Sequence, residues 1–187
     1  MIKTSIIGSG SWALALSKIF VDKNFTIKCR NIHKIKRNFS KESTIITDKF
    51  SDLKDSDYIF LAIPSQSVRQ NLNNLKKYSK KNKSIFIICS KGVEKKTNKL
   101  MSEVVNDIFP ENQKVILSGP NFSSELIANK PSASVISSMN KRVLNQVSSL
   151  LSKKKIRIYF NNDIIGTQLG GAMKNVIAIA CGLIKGK

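Results

Sequence analysis

The sequence predicts an α/β protein: a doubly wound, mostly parallel sheet with helices on both faces. Three observations carry this. Short apolar runs alternate with segments of helical spacing from one end of the chain to the other. The connections between them are short, which favours βα units. Several runs, 57–63 and 83–89 above all, are almost continuously apolar, as strands covered on both faces must be.

Residues 2–7 read as the first strand, ending at Gly8. Residues 11–21 have helical spacing, with Leu14, Ile19 and Val21 among small residues. Strands are predicted over 25–29 and 43–47, then over 57–63, where Pro64 stops the run. Ser65 or Ser67 can cap a helix that shows Val68, Leu72 and Leu75 on one face. A strand over 83–89 and a helix over 97–108 follow, then a strand over 114–117 and a helix over 122–128. A strand over 132–137, a helix over 141–151 and a strand over 156–160 complete the alternation. The last helix begins near Asp163. Asn161-Asn162-Asp163 is the best domain boundary, giving a sheet domain over 1–162 and a helical segment over 163–187 without partners in this chain. Its apolar run, 176–184, is half of what a membrane span needs and reads as a buried core helix.

Composition narrows the function classes. The 187 residues suffice for one domain with a full core. Cys29, Cys89 and Cys181 have no metal spacing and read as small buried hydrophobes in a reducing compartment. The net charge of +20 would suit nucleic acid or an anionic membrane surface. Its lysines, however, are spread along the chain, with small clusters at Lys76-Lys77, Lys80-Lys81, Lys95-Lys96 and Lys153-Lys154-Lys155 and no interleaved aromatics. That pattern reads as solvated surface, with a field that attracts anionic nucleotides. Lys3 and Ala13-Leu14-Ala15 loosely imitate a secretion signal, but glycines and serines interrupt the apolar part. The expected location is the cytoplasm.

Chemistry gathers at the ends of the apolar runs. Gly8-Ser9-Gly10-Ser11-Trp12-Ala13 follows the first strand and opens a helix, the glycine fingerprint of a Rossmann-type dinucleotide site. Gly8 permits the tight turn, Gly10 lets backbone approach a pyrophosphate, and the helix N-terminus offers free N–H groups and a positive dipole. After the second strand come Arg30 and Asn31, with no carboxylate until Glu42. An arginine there meets a 2′-phosphate, stacks on adenine or is simply solvated. Cys89-Ser90-Lys91-Gly92 puts a lysine within reach of a phosphate or a ribose, and Leu117-Ser118-Gly119-Pro120-Asn121-Phe122 faces the same crevice. His33, the only histidine, lies in a basic polar stretch and reads as surface. Near the end, Lys174 stands in an otherwise almost uncharged helical segment crowded with small residues. Burying that ammonium without a partner would be expensive.

Four motifs in this order resemble the bacterial NAD(P)-dependent glycerol-3-phosphate dehydrogenase family. They are Gly8-Ser9-Gly10-Ser11-Trp12, then Ser90-Lys91-Gly92, then Ser118-Gly119-Pro120-Asn121-Phe122 with Glu125, and last the run 165–178 around Gly170-Gly171-Ala172-Met173-Lys174-Asn175. The resemblance implies interconversion of sn-glycerol 3-phosphate and dihydroxyacetone phosphate with NAD or NADP, feeding glycerophospholipid synthesis. It makes Lys174 the catalytic lysine, the proton acceptor from the substrate hydroxyl. Gly8, Gly10, Ser11, Trp12, Arg30, Lys91 and Ser123 would serve the cofactor; Lys91, Gly119, Asn121 and Lys174 would serve the substrate. Ala13 replaces the usual third glycine, Asn121 stands where the family has serine or threonine, and Ser123 where it usually has alanine. Family members continue well beyond the position of Lys187, so the resemblance makes this chain a truncated member that ends in the first helix of an α-helical domain, and a homodimer only if that domain is supplied. Two alternatives stay open: a cofactor-binding remnant without turnover and, behind it, a basic nucleic-acid binder.

Overall fold

The computed structural model describes residues 2–21, 24–39, 44–79, 83–151 and 154–186. Glu42, Ser43, Lys80, Lys81 and Lys153 lie outside the described residues. The first half runs β1 (Thr4–Ile7), α1 (Ser11–Ile19), β2 (Phe25–Lys28), α2 (Ile32–Phe39), β3 (Thr44–Thr47), a short 3-10 turn (Phe50–Leu53), β4 (Tyr58–Leu61) and α3 (Ser65–Lys76). It continues with β5 (Ile85–Ile88), α4 (Met101–Ile108), β6 (Lys114–Ser118), α5 (Ser123–Ile127), β7 (Ala133–Ser137), α6 (Lys141–Ser149), β8 (Arg157–Asn161) and α7 (Ile164–Lys185).

The strands form a single sheet in the order β3-β2-β1-β4-β5-β6-β7-β8. Neighbours are parallel except β6 and β7, which pair antiparallel. Successive residues point to opposite faces, and each face has its own core. Ile6, Ile27, Phe60 and Ile87 pack with Leu16 and Ile19 of α1 and Val143 and Val147 of α6. Ile7, Ile59, Leu61 and Phe86 pack with Val68 and Leu72 of α3 and Val104 and Val105 of α4. This double coverage is why the strands read as unbroken apolar runs. The order reverses between β1 and β4, which opens a crevice at the carboxyl ends of these strands.

Several expectations need correction. The basic stretch after β2 is a helix, α2, because Ile35 and Phe39, four residues apart, bury on one side of it. The helix expected from 97 starts only at Met101. Asn98 sits at φ 57 and Val93 bridges Leu100, so 93–100 is a folded loop. The last helix does have partners in this chain: Gln168 is buried and bonded to Ser102, and Thr167 bonds to Ser137. Its later part is not a buried core helix. Val176, Ile177, Ile179, Leu183 and Ile184 are exposed, as is Cys181. An apolar run has the same spelling whether or not a neighbour covers it. By length and composition alone α7 could cross a membrane, but its first turns are docked on the sheet domain.

Candidate functional site

The glycine turn separates what the fold needs from what a ligand needs. Gly8 has φ 128, and a methyl group there would collide with the Ala62 carbonyl. Its N–H donates to the Lys28 carbonyl at 2.9 Å, locking the turn to β2. Gly8 is therefore glycine for the backbone's sake. Gly10 has φ −78, which any residue adopts, and nothing lies within 4 Å of where its Cβ would stand. It is the N-cap of α1, with no side chain capping the helix and no acidic residue in the first turn. The bare space and unsatisfied N–H groups suit an approaching anion. Ala13, in place of the third glycine, is fully buried against the sheet.

Two cavities meet at Gly10 and the 62–64 turn. The first, about 600 Å³, is lined by Gly8, Gly10, Lys28, Arg30, Asn31 and Gln70 among others, and has the place and size of an adenosine site. The second, about 350 Å³, is lined by Ser11, Trp12, Lys91, Asn121, Ser123 and Lys174 among others. Cys89 lies among them, and burial pushes its thiol up to about 12, so it is no nucleophile at neutral pH. A third cavity, about 650 Å³, lies along α7 and is lined by Gly119, Thr167, Gly171, Lys174 and Asn175 with others. Phe122 and Lys174 belong to both the second and the third.

Lys91 stands in a loop held from outside. Gln66 of α3 donates to the Val93 carbonyl at 2.7 Å and accepts from the Lys95 N–H at 3.0 Å. Arg69 makes a forked contact to Glu94 at 2.8–3.0 Å and reaches Asp107 of α4 at 2.8 Å. Thr97 donates to the same Glu94 carboxylate at 2.6 Å. Ser90 turns inward, donating to the Leu61 and Ile63 carbonyls. Burial, followed by the neighbouring Lys174 charge, pulls Lys91 down to about 8.

Lys174 reaches this group from α7. A Cβ on Gly171 would lie 2.5 Å from the Ser118 hydroxyl and 3.8 Å from the Lys91 side chain. The missing side chain lets the helix approach the end of β6 and brings Lys174 beside Lys91. The Lys174 ammonium lies 4.7 Å from the centre of the Phe122 ring, a cation–π contact. Gly119, at φ 137, presses its backbone on Ser134 of β7. The Asn121 amide is turned toward β7, bonded to Ser134 and to the Ala133 carbonyl, and its Oδ1 is buried with no partner.

Of the residues singled out from sequence, Gly10, Ser11, Trp12, Lys91, Asn121, Ser123 and Lys174 share one cleft. Gly8 and Arg30 line the first cavity, and Gly119 lies on the far side of Phe122. Sequence reasoning missed Lys28, Phe122 and the Gln66–Arg69–Glu94 clasp. Phe122 stood inside a recognised motif. Lys28 was the lone charge ending an apolar strand. The clasp joins residues too distant in the chain to leave a local signal.

A family profile described as the NAD-dependent glycerol-3-phosphate dehydrogenase N-terminus matches residues 3–144, and one described as the C-terminus of the same enzyme matches residues 163–187. A glycerol-3-phosphate dehydrogenase [NAD(P)+] of Neorickettsia sennetsu is 37% identical over 98% of this chain and 59% of that relative. The protein of that name in Clostridium perfringens is 34% identical over 100% of this chain and 61% of that relative. The chain thus spans about three fifths of the length of these relatives. Among solved structures, glycerol-3-phosphate dehydrogenase from Coxiella burnetii superposes with a TM-score of 0.88 at 24% identity, over 99% of this chain and 61% of the other. At that identity the likeness speaks for the fold.

Proposed function

The chain belongs to the NAD-dependent glycerol-3-phosphate dehydrogenase family, and from that premise we propose that it binds NAD(H) or NADP(H) and takes part in interconverting sn-glycerol 3-phosphate and dihydroxyacetone phosphate. Residues 1–162 form the dinucleotide-binding half on this reading, and 163–187 open the substrate half. The observation that carries it is Gly10, whose vacant Cβ position serves no need of the fold and leaves room for a pyrophosphate at the start of α1.

The bound nicotinamide supplies hydride exchange with the substrate C2. The chain's own residues do the rest. Ser11, Trp12 and Ser123 border the nicotinamide end, and Lys91 and Lys174 present two cations to a phosphorylated, oxygen-rich substrate. Lys174 accepts the hydroxyl proton as the neutral amine in the oxidising direction and, as the ammonium, returns it to the carbonyl oxygen in the reducing direction. Gly119 and Asn121 shape the substrate side from the turn after β6. The same reading places the chain in the cytoplasm, with its product entering glycerophospholipid synthesis and no specific nucleic acid among its partners.

Fluorescence titration with NADH tests this. Gly10→Asp should fold normally, since no neighbour meets its side chain, yet lose dinucleotide affinity by about 100-fold or more, because a carboxylate would face the pyrophosphate. Unchanged affinity in that variant would remove the assignment.

A further inference from the structure

We propose that the Gln66–Arg69–Glu94 clasp is a positioning device: it sets the spacing between Lys91 and Lys174 by holding both the loop that carries the first and the start of the helix on which the second is docked. This rests on the reading that the two lysines meet the phosphorylated substrate, and adds to it residues that stand outside the cleft.

Lys91 is followed by Gly92, at φ 104. A glycine gives the backbone freedom to swing, so a lysine beside it keeps one place only if the chain is held on both sides. Ser90 is tied before it, to the Leu61 and Ile63 carbonyls, and Gln66 grips the Val93 and Lys95 backbone after it. Glu94 then closes the loop on itself. Its N–H donates to the Lys99 carbonyl at 2.9 Å, and its own carbonyl accepts from the Asn98 N–H at 2.8 Å. Only 6% of Glu94 is exposed, yet its carboxylate accepts from both arms of Arg69 and from Thr97. Asp107 of α4 accepts from Arg69 and from Lys99, each at 2.8 Å. The cluster thus joins α3, the loop and α4.

Stability alone does not call for such a cluster. A buried ion pair is often no better for stability than apolar residues of the same volume, whereas forked, directional bonds admit one geometry. None of Gln66, Arg69 and Glu94 lines the first or the second cavity, so their influence on the cleft runs through the loop. The loop's far end is where α7 docks. The Leu100 N–H donates to Glu103 at 2.7 Å, and Ser102 bonds to both arms of Gln168. Lys91 is therefore fixed near one end of the clasp, and Lys174, through Gln168 and α7, at the other. The two side chains meet where Gly171 lets the helix approach, its Cβ position lying 3.8 Å from Lys91. Two like charges do not settle side by side unaided. A frame has to hold them there.

Carbon-13 shifts of labelled lysine side chains in the whole chain test this. Burial first, then the Lys174 charge, holds Lys91 near 8 in the native chain. Glu94→Gln removes the charge that the Arg69 fork grips. Loss of a negative group acting only through its field would push Lys91 lower. A loop that swings toward water and away from Lys174 raises it toward the ordinary 10.5. The rise is the expected result. Gln66→Ala, on the exposed side of the loop, should move Lys91 in the same direction, and it stands as the test should Glu94→Gln fail to fold; thermal melts report the fold of both. Inorganic phosphate should bind these variants about tenfold more weakly than the native chain, while ADP, which reaches the glycine turn, keeps its affinity. A Lys91 that stays near 8 or falls in a folded variant would overturn the proposal, as would a native Lys91 already at 10.5. Failure of phosphate to bind the native chain would remove the substrate reading of the lysine pair, and the titration would still decide whether the clasp spaces it.

Discussion

The sheet and the last helix are held by different means. Strand residues such as Phe60 and Phe86 are fully buried, packed between helices on two faces. In α7, which is 22 residues long, Gln168 is the one buried residue. Its early turns are fastened by polar contacts instead. Asp163 caps the Gly166 N–H at 2.7 Å, Thr167 meets the Ser137 hydroxyl at 2.6 Å, and both arms of Gln168 bond to Ser102 at 2.9 Å. The cavity at the glycine turn therefore rests on a bulk apolar core. Lys174 is delivered by a few hydrogen bonds and the close approach at Gly171. Damage to one need not damage the other, and substitutions can separate them.

The largest expected effect is on the sheet. Phe60 packs against Phe20 with ring centres 4.9 Å apart and has no exposed surface. Phe60→Ala should cost about 3–5 kcal/mol of global stability. Ile179→Ala on α7, at a residue 65% exposed, should stay within about 0.5 kcal/mol. Denaturant unfolding of the two variants makes the comparison. Comparable losses would mean that α7 is part of the cooperative core after all.

An intermediate effect falls on the joint. Gln168→Ala leaves the part-buried Ser102 N–H without its acceptor, a loss of about 0.5–1.5 kcal/mol. Because the contact is local, the loss should appear as faster amide exchange in α7 while β1, β4 and β5 stay protected. Uniform acceleration through the sheet would show that the joint and the core open together.

The same contrast explains what the sequence disclosed. Strands such as β4 and β5 are legible because burial on both faces demands unbroken apolar residues. The glycine turn and the lysine motifs are legible because backbone geometry and charge chemistry restrict them to few residue types. α2 was hidden because its buried side rests on Ile35 and Phe39 within a basic stretch. The exposure of 176–184 could not be read because apolar spelling carries no record of which neighbour covers it. Lys28 escaped notice because a strand-end lysine is ordinarily solvated; its burial beside the Phe50 ring shows only in the fold. The clasp around Glu94 joins α3, a loop and α4, and becomes visible only when the sheet brings them together.

The smallest effect is also the most direct reading of how α7 meets the sheet. Lys91 belongs to the loop after β5 and Lys174 to the helix, and their proximity helps to hold Lys91 near 8 instead of the ordinary 10.5. The sign follows from proton counting. Between about 8 and 10.5 the unfolded chain keeps a proton on this lysine that the folded chain has released. The unfolded state binds more protons there, so Lys91's contribution to folding stability improves as pH rises through that window. An anionic ligand placed between the two lysines reverses the local balance, favouring the charged form and drawing a proton from solvent on binding. Titration of inorganic phosphate near pH 8.5 should therefore show a heat that varies with the ionisation enthalpy of the buffer. Lys174→Met removes the neighbouring charge but not the burial, so the Lys91 titration should move only part of the way toward the ordinary value. Carbon-13 shifts of labelled lysine side chains follow it directly. A Lys91 titration that Lys174→Met leaves unmoved would mean that α7 does not hold Lys174 against the sheet in solution.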